Sequence, residues 1–336
     1  MPSGGGKRAA IAALLASIGV VISIGACAAE QATSPLRATS AGDVAGDAAV
    51  DPSGRPIDIT ALAGRLQSAD HVLLGEVHDN PAHHRLRAAL LRALLADGRP
   101  TWVVFEQIDR QHNAAVAAAP RDTEALVSAG QLNQKGWGWP LHRPLFDAAL
   151  AGGATVVGGN LSRAEASRVV RGGVAQVPVD LQRWLAAPSI RGAAPPTPWT
   201  AAQDAELRHQ VDVGHCGALP PDMIVPMALA QRARDAALAQ AMLQAPPGVR
   251  VVLIAGNGHV RRDTGVPHYL ATQIPAEDLA APGGRIVSLG VLERASDGST
   301  AMDGPYDEVW FTARAERPDP CAGFRVPAPV SASAAH

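Results

Sequence analysis

The sequence predicts an α/β fold with a mostly parallel central sheet flanked by helices, and with helical insertions that form a lobe over the carboxyl ends of the strands. Six short segments are predicted strands. The first four are continuously apolar, as expected for strands that helices cover on both faces. Helical patterns separate these segments along the chain. The predicted strands are 71–75, 101–105, 154–159, 249–255, 285–291 and 308–312.

The helix after the first strand has clear end signals. Asn80 can cap it, Pro81 takes the first helical position, and Gly98 and Pro100 end it. Its predicted buried face consists of Leu86, Leu90, Ala93 and Leu94.

Two segments are longer than crossover helices need, namely 107–150 and 161–247. We expect them to form helical lobes over one edge of the sheet. The second lobe is expected to be broken in two by Pro195, Pro196 and Pro198.

The composition is that of a globular protein with a sizeable core. Of 336 residues, 47% are hydrophobic and 18% are charged, which fits one large domain or two small ones. The formal net charge is -2, so no nucleic acid partner is expected.

The first 27 residues are predicted to be a lipoprotein signal peptide. Lys7 and Arg8 precede an apolar stretch, 9–24, that is somewhat short for a membrane span. Ile24-Gly25-Ala26-Cys27 resembles a bacterial lipobox, so Cys27 is the expected lipidation site. Ala28 follows where an Asp would favour retention in the inner membrane, so we expect an outer-membrane lipoprotein of the cell envelope. An ordinary signal peptide or an uncleaved anchor are the alternatives.

The remaining boundaries follow from composition. Residues 28–56 are small and polar and are predicted to be a flexible linker. The domain is expected over 57–325, and 326–336 is predicted to be a disordered tail.

Two cysteines remain after Cys27. In an oxidising compartment, Cys216 and Cys321 are expected to form a disulfide. A soft metal site that includes the neighbouring His215 is the alternative.

Polar side chains follow four of the predicted strands. Glu76 and His78 follow the first strand, Glu106 the second, Asn160 the third, and the segment 257–259 the fourth. Because ligands of parallel sheets collect beyond the carboxyl ends of the strands, we expect these groups to meet at one rim and form a pocket. The alternative is a structural polar network that pins loops.

His83 and His84 fall in the first turn of the next helix, close to the same rim. The positive end of the helix favours neutral imidazoles that can bind a metal. Surface histidines are the alternative interpretation. Gly256 and Gly258 flank Asn257 and let a ligand approach the main chain closely.

One later helix carries polar groups within an apolar face. That face comprises Met227, Gln231, Arg234, Asp235, Leu238 and Met242. Burying Gln231 and Asp235 without partners would cost on the order of 1–3 kcal/mol each, so they should meet the rim. We expect Asp235 to orient His78 or His259.

The segment KGWGWPLHRPLF brings Trp137, Trp139 and His142 close together. These rings either flank a flat hydrophobic ligand or pack in the core.

Together these motifs resemble the ChaN-like family of haem-binding lipoproteins, in the superfamily of Tiki and erythromycin-esterase-like proteins. The resemblance covers about residues 60–275. The matching pieces are Gly75-Glu76-Val77-His78-Asp79-Asn80 with His83-His84, Phe105-Glu106, Trp137-Gly138-Trp139, Asn160, His215-Cys216-Gly217, Gln231 with Arg234-Asp235, and Gly256-Asn257-Gly258-His259-Val260.

The resemblance implies haem binding in iron uptake, with two subunits closing over haem and an outer-membrane haem receptor as a further partner. Relatives are expected to carry a Tyr shortly after Trp-Gly-Trp, where this chain has Leu141-His142. We therefore predict His142, or another exposed histidine, as the axial ligand. The expected ligand-binding residues are Glu76, His78, His83, His84, Glu106, Asn160, His215, Gln231, Asp235, Asn257 and His259.

Two other functions remain open from the sequence. A hydrolase, with or without a divalent metal at His78 and His259, would use Glu76, His78, Glu106, Asp235 and His259 for acid–base chemistry. The sequence contains neither His-Glu-x-x-His nor Gly-x-Ser-x-Gly. A purely structural or interaction lipoprotein is the third interpretation.

Overall fold

The chain folds around a parallel β-sheet. A computed structural model describes residues 49–185, 199–274, 286–300 and 304–324. Its strands are β1 (His71–Leu74), β2 (Thr101–Asp109), β3 (Thr155–Asn160), β4 (Arg250–Ile254), β5 (Ile286–Glu293) and β6 (Glu308–Thr312). Their order is β3-β2-β4-β1-β5-β6, and every pairing is parallel. Each strand overlaps a predicted one, so the predicted α/β fold is confirmed.

Eleven α-helices lie in the described ranges. They are α1 (Ile59–Leu66), α2 (Pro81–Leu95), α3 (Asn113–Ala118), α4 (Thr123–Ala129), α5 (Arg143–Ala151), α6 (Arg163–Gly172), α7 (Val179–Leu185), α8 (Ala201–Gly214), α9 (Pro221–Met242), α10 (Asn257–Val260) and α11 (Val266–Gln273). Short 3-10 helices span Arg110–His112, Gly173–Gln176 and Ala322–Phe324. None of the helices in these ranges has both the length and the apolarity to cross a membrane.

Helices cover both faces of the sheet and create two cores. On one face, Leu74 and Phe105 pack with the apolar sides of α1, α2 and α5. On the other face, Leu73 and Val104 pack with α6, α7, α9 and α11. Because successive side chains of a strand point to opposite faces, strands β1 to β5 contribute to both cores. This double burial explains why the first four predicted strands are continuously apolar.

Helix α2 begins and ends where its sequence signals predict. The side chain of Asn80 accepts a hydrogen bond from the amide of Ala82, and Pro81 is the first helical residue. Leu86, Leu90 and Leu94 are fully or almost fully buried, while Ala93 is half-buried. The cap also donates through Nδ2 to Glu293 and to the carbonyl of Ala313. The start of α2 is therefore tied to the end of the sheet.

Strand β2 is longer than predicted. It continues past Phe105 to Asp109, which pairs with Asn160 of β3 after a register shift. The helical lobe therefore starts after Asp109 and not at 107. The three prolines predicted to divide the second lobe lie outside the described residues.

The predicted linker 28–56 is wrong in its last part. Val50 pairs in antiparallel fashion with Phe311 at the edge of β6, and Ala49 is buried. Residues 49–56 thus belong to the folded domain. The predicted signal peptide and the tail 326–336 lie outside the described residues.

The chain after β6 has no regular secondary structure over 313–321, a segment that we call the C-terminal strap. Arg317 in the strap pairs with Glu293 and, over 2.9 Å, with Asp79. The strap ends at Cys321, which forms a disulfide with Cys216. The predicted disulfide is confirmed, and it leaves neither sulfur free for the alternative metal site.

Candidate functional site

Two buried carboxylates lie at the carboxyl edge of the sheet, on opposite faces. Glu76 lies two positions after Leu74 of β1 and therefore on the same face of the sheet, where it extends toward α2 and α5. Glu106 lies two positions after Val104 of β2 and therefore on the other face, where it extends toward Asp235 of α9 and its partner His259. The period of two in each strand therefore separates the predicted rim into two groups.

The first group, which we call the Glu76 cluster, comprises Glu76, His78, His84, Arg87 and His142. Oε1 of Glu76 lies 2.8 Å from Nδ1 of His78 and 3.2 Å from Nε2 of His142. Oε2 lies 3.0 Å from Nδ1 of His84 and is paired with the guanidinium of Arg87. One fully buried carboxylate thus organises three imidazoles and one guanidinium.

Arg87 fixes the carboxylate of Glu76 through an ion pair in the interior of the protein. Its guanidinium is fully buried, and its Nη1 donates to the carbonyls of Leu74, over 3.0 Å, and Ala255, over 3.3 Å. Burial lowers the pKa of Arg87 to about 9, so it stays cationic at neutral pH. It therefore joins the ends of β1 and β4 while supplying the countercharge of Glu76.

Burial favours a neutral ring at His84. Its Nε2 donates to the carbonyl of His78 over 2.9 Å, and its Nδ1 faces both Nη2 of Arg87, at 3.2 Å, and Oε2 of Glu76, at 3.0 Å. Burial lowers the pKa of His84 to about 4, which agrees with this assignment.

His142 is also buried and neutral. Its Nε2 donates to Glu76, and burial, helped by His84 and Arg87, lowers its pKa to about 2. Its ring packs against His84 at 4.2 Å. The predicted axial ligand therefore does not present its ring at the surface, because the ring is fully buried beneath the other members of the Glu76 cluster.

His83 has a structural position. Its Nδ1 accepts from the amide of Val77 and its Nε2 bonds with Thr312 of β6. Burial lowers the pKa of His83 to about 3. The alternative of surface histidines is therefore wrong for both His83 and His84.

His78 is the exposed member of the Glu76 cluster. Half of its side chain, 49%, is solvent-accessible, whereas the side chain of Glu76 is completely buried. Because a carboxylate can only accept, Nδ1 of His78 carries the proton and Nε2 is left as a lone-pair donor. Nε2 makes no hydrogen bond within the described part of the chain. The ring of Trp137 stands edge-on to His78, with centroids 4.9 Å apart.

The two neighbouring tryptophans divide between the site and the core. Trp137 contacts both His78 and, at 5.7 Å, His142. Trp139 instead packs edge-on against Phe146 and joins the core. Only Trp137 therefore borders the candidate site.

The second group, the His259 triad, comprises Asp235, His259 and Glu106. Nδ1 of His259 lies 2.6 Å from Oδ1 of Asp235, and Nε2 lies 3.2 Å from Oε1 of Glu106. Both ring nitrogens face carboxylates, so both donate and the ring is an imidazolium. The prediction that Asp235 orients a rim histidine is met at His259 and not at His78.

Electrostatics agree with this protonation. Burial disfavours the charge on His259, but Glu106 and Asp235 outweigh it and raise the pKa of the ring to about 10. Burial raises the pKa of Asp235 to about 6, against the attraction of His259. Burial also acts against ionisation of Glu106, yet His259 holds the pKa of that carboxyl below its usual range.

Amides complete the surroundings of the triad. The amide nitrogen of Gln231 lies 3.1 and 3.3 Å from the two ring nitrogens of His259. Asn160 donates to the backbone carbonyl of Glu106 and accepts from Arg234 over 2.8 Å. The polar face predicted for α9 therefore meets the rim through all three of its polar members.

The loop after β4 separates the two groups. Gly256 donates its amide to Oε2 of Glu106 over 2.8 Å. A Cβ at Gly256 would lie only 2.9 Å from Cε1 and 3.1 Å from Nε2 of His78, so glycine keeps the approach to this nitrogen open. The side chain of Asn257 bonds with both main-chain groups of Val291 in β5, which makes it a structural clamp.

The arrangement changes the predicted metal site. Within the described ranges, Glu76, His78 and His142 offer three ligand atoms that all lie within 4.8 Å of one another. The predicted pair of His78 and His259 does not form such a site, because both nitrogens of His259 are engaged by carboxylates.

His215 was predicted to bind the ligand, but its hydrogen bonds are local to the end of α8. It ends α8 beside the disulfide, and its Nδ1 bonds with the carbonyl of Val211 over 2.7 Å. Within the described ranges, none of the hydrogen bonds of His215 is to either group. Arg87, by contrast, was not predicted. Its sequence signal was its position three residues after His84 on the buried side of α2.

Comparison with known proteins gives one family match. The profile of the family described as haem-binding uptake, Tiki superfamily, ChaN matches residues 62–270. This range contains both groups of the rim. No protein of curated function matches the chain.

Among the solved structures that match, one has a similar fold. ChaN of Campylobacter jejuni, described with cofacially bound haem, has 17% identity and a TM-score of 0.58, and the match covers 80% of this chain and 97% of that one. The RRSP effector domain of a Vibrio vulnificus MARTX toxin has 14% identity and a TM-score of 0.36, covering 72% and 37%. An erythromycin esterase in its open conformation has 16% identity and a TM-score of 0.36, covering 70% and 73%.

Proposed function

The chain belongs to the ChaN family of haem-binding uptake proteins, in the Tiki superfamily, and we propose that it binds haem through Nε2 of His78 as a step in iron acquisition. One observation carries this assignment: His78 is the exposed imidazole of the Glu76 cluster, and its second nitrogen is without a hydrogen-bond partner in the described ranges.

The residues around His78 fit an imidazole axial ligand. Glu76 fixes the tautomer by accepting from Nδ1, so the lone pair of Nε2 is available to iron. Gly256 leaves open the space in front of this nitrogen. Trp137 supplies apolar surface beside the ring. Haem is here the cargo of the site, and the chain's residues hold and orient its ligand.

We propose that His142 does not take the place of the tyrosine expected in relatives. Its ring is fully buried, and its nearest polar partner is Glu76. We therefore assign it to the support of Glu76 and give the axial position to His78.

The cellular setting is part of the proposal. We propose an outer-membrane lipoprotein anchored at Cys27, supported by the basic start, the apolar stretch and the lipobox of the sequence. An outer-membrane haem receptor and a second copy of the chain are the proposed partners. Metabolic labelling with a palmitate analogue should mark the wild-type protein and not Cys27→Ala; equal labelling of both would contradict the anchor.

Titration of the apoprotein with haemin tests the binding assignment. The wild type should give a shifted, saturable Soret band, and His78→Ala should lose at least 90% of it at equal concentrations. His142→Ala should retain a Soret band, since its ring is not a ligand. His209→Ala, an exposed histidine on α8, is the matched control and should behave as wild type.

Two outcomes would contradict the assignment. An unchanged haemin spectrum in the presence of the wild-type protein would remove haem binding altogether. A band that survives His78→Ala and disappears in a folded His142→Ala would return the axial position to His142.

A metal-dependent hydrolase is the second candidate, because Glu76, His78 and His142 place three donor atoms within 4.8 Å. A metal held there would lower the pKa of a bound water and supply the nucleophile. His259 is unsuited to act as the general base, since its imidazolium keeps its proton up to about pH 10. Elemental analysis together with the absorption spectrum distinguishes the two candidates. Stoichiometric metal without a Soret band, lost in His78→Ala and kept in His209→Ala, would favour the hydrolase over haem binding.

A further inference from the structure

We propose that Glu76 is a positioning residue that gives His78 the character of an imidazolate ligand, so that the site holds ferric haem more tightly than ferrous haem. This inference rests on the proposed binding of haem by His78 and adds an oxidation-state preference to it.

The contact between the two side chains is short and one-sided. Oε1 of Glu76 accepts from Nδ1 of His78 over 2.8 Å, and the carboxylate has no solvent-accessible surface. A hydrogen bond to an ionised acceptor in such surroundings is stronger than a neutral one. Nδ1 therefore shares its proton unequally, and electron density on the ring, including Nε2, rises.

The carboxylate cannot turn away from His78. Its other oxygen is held by the guanidinium of Arg87 and lies 3.0 Å from His84. Arg87 is in turn bonded to the carbonyls at the ends of β1 and β4, so the sheet itself fixes the direction of the carboxylate. His142 is the second donor to Oε1, at the longer distance of 3.2 Å.

An electron-rich axial ligand favours the more highly charged iron. Ferric haem carries one more positive charge than ferrous haem, so extra density on Nε2 stabilises the ferric form preferentially. By linkage, the protein then binds ferric haem more tightly, and the reduction potential of the bound haem falls by 59 mV for each tenfold difference in affinity.

The exposed position of His78 is required for this effect. At His259 both nitrogens already face carboxylates, so the same carboxylate influence cannot reach a ligand. At His78 one nitrogen faces a carboxylate and the other faces the open approach beside Gly256.

The test compares the reduction potential of the full-length holoprotein in wild type and variants. Dithionite supplies the single electron that converts ferric to ferrous haem, and the proton on Nδ1 stays in place. Glu76→Gln should lower the preference for ferric haem at least tenfold, a rise in potential of about 59 mV or more. Glu76→Asp keeps the charge beside Arg87, withdraws the oxygens from His78, and should move the potential in the same direction.

Matched controls separate this effect from general damage. Glu124→Gln removes an exposed carboxylate on α4 that pairs with Arg143 and should leave the potential unchanged. The iron–imidazole stretch of the wild-type ferrous protein, measured by resonance Raman spectroscopy, gives an independent readout. It should lie at the higher frequency typical of a carboxylate-bonded imidazole and should fall in Glu76→Asp.

The outcomes are distinguishable from failure of the proposed function. A His78-dependent Soret band with the same potential in wild type, Glu76→Gln and Glu76→Asp would overturn this inference and leave haem binding intact. Absence of any His78-dependent band would overturn both. If Glu76→Gln does not fold, an iron–imidazole stretch typical of a neutral histidine in the wild type would overturn the inference by itself.

Discussion

The two faces of the sheet carry similar residues at their carboxyl edge and use them differently. On the α2 side, the carboxylate of Glu76 is shared among several imidazoles, and Nε2 of His78 has no hydrogen-bond partner among the residues that the structure describes. On the α9 side, His259 is held between Glu106 and Asp235 and keeps neither nitrogen free.

The difference follows from the ratio of carboxylates to imidazoles. Two carboxylates around one ring hold it as a cation with no free lone pair. In the Glu76 cluster one carboxylate is shared among three rings, so Nε2 of His78 faces no carboxylate within the described residues and its lone pair can bind iron or a metal. We therefore expect the α9 side to be structural and the α2 side to hold the ligand.

Among these predictions, removing the countercharge of Glu76 should have the largest effect on the free energy of unfolding. In Arg87→Met the buried carboxylate of Glu76 would lose its cation, which costs on the order of 3–5 kcal/mol of unfolding free energy. Urea denaturation measures this loss. Arg92→Met, an exposed arginine on the same helix, should change the free energy of unfolding by about 0.5 kcal/mol or less. A loss of similar size in both variants would show that Arg87 does not serve as the countercharge.

The His259 triad should make the free energy of unfolding depend on pH in the alkaline range. Because the folded pKa of His259, about 10, exceeds its ordinary value of 6.5, its contribution is fully present below pH 6.5 and is lost as the pH rises through 10. Asp235→Asn should weaken the hold on the proton and move that loss to lower pH. Urea midpoints between pH 6.5 and 10.5 measure both curves.

The matched control for this pH dependence is Asp222→Asn, at the exposed start of the same helix. It should reproduce the wild-type curve. A midpoint that is flat across the range in the wild type would contradict the imidazolium assignment.

The smallest expected effect concerns the space between Gly256 and Nε2 of His78. Gly256→Ala adds a Cβ that would lie 3.1 Å from Nε2 of His78, and it should weaken haem binding about tenfold, which is about 1.4 kcal/mol. Gly258→Ala, two residues along, adds a Cβ that meets nothing within 4 Å and should bind as wild type. Equal affinities for the two variants would show that haem does not approach His78 from this side.

The sequence predicted the parts of the fold that depend on local pattern. All six strands were predicted, the first four from continuous apolar runs, and Asn80 with Pro81 located the start of α2. The extension of β2 to Asp109 was missed, because its last residues are polar and pair with β3 only after a register shift.

The candidate site was predicted in part. The polar face of α9 correctly placed Asp235 next to a rim histidine, since a buried carboxylate requires a partner. Burial of His84, Arg87 and His142 was not predicted, because charged and polar residues are ordinarily exposed and only the assembled strand ends satisfy them here. The alternation of side chains along each strand would have placed Glu76 and Glu106 on opposite faces of the sheet. The prediction of a single rim did not make this distinction.

The disulfide has a consequence for how the molecule reassembles after denaturation. Cys216 and Cys321 close a covalent ring with a sequence separation of 105. Asp235 and His259 both lie within this ring, whereas Glu106 lies outside it. As long as the bond is oxidised, the unfolded chain explores fewer arrangements, and the segments that carry Asp235 and His259 remain closer on average than in an open chain. Their encounter during refolding is thereby favoured before the remaining carboxylate joins them.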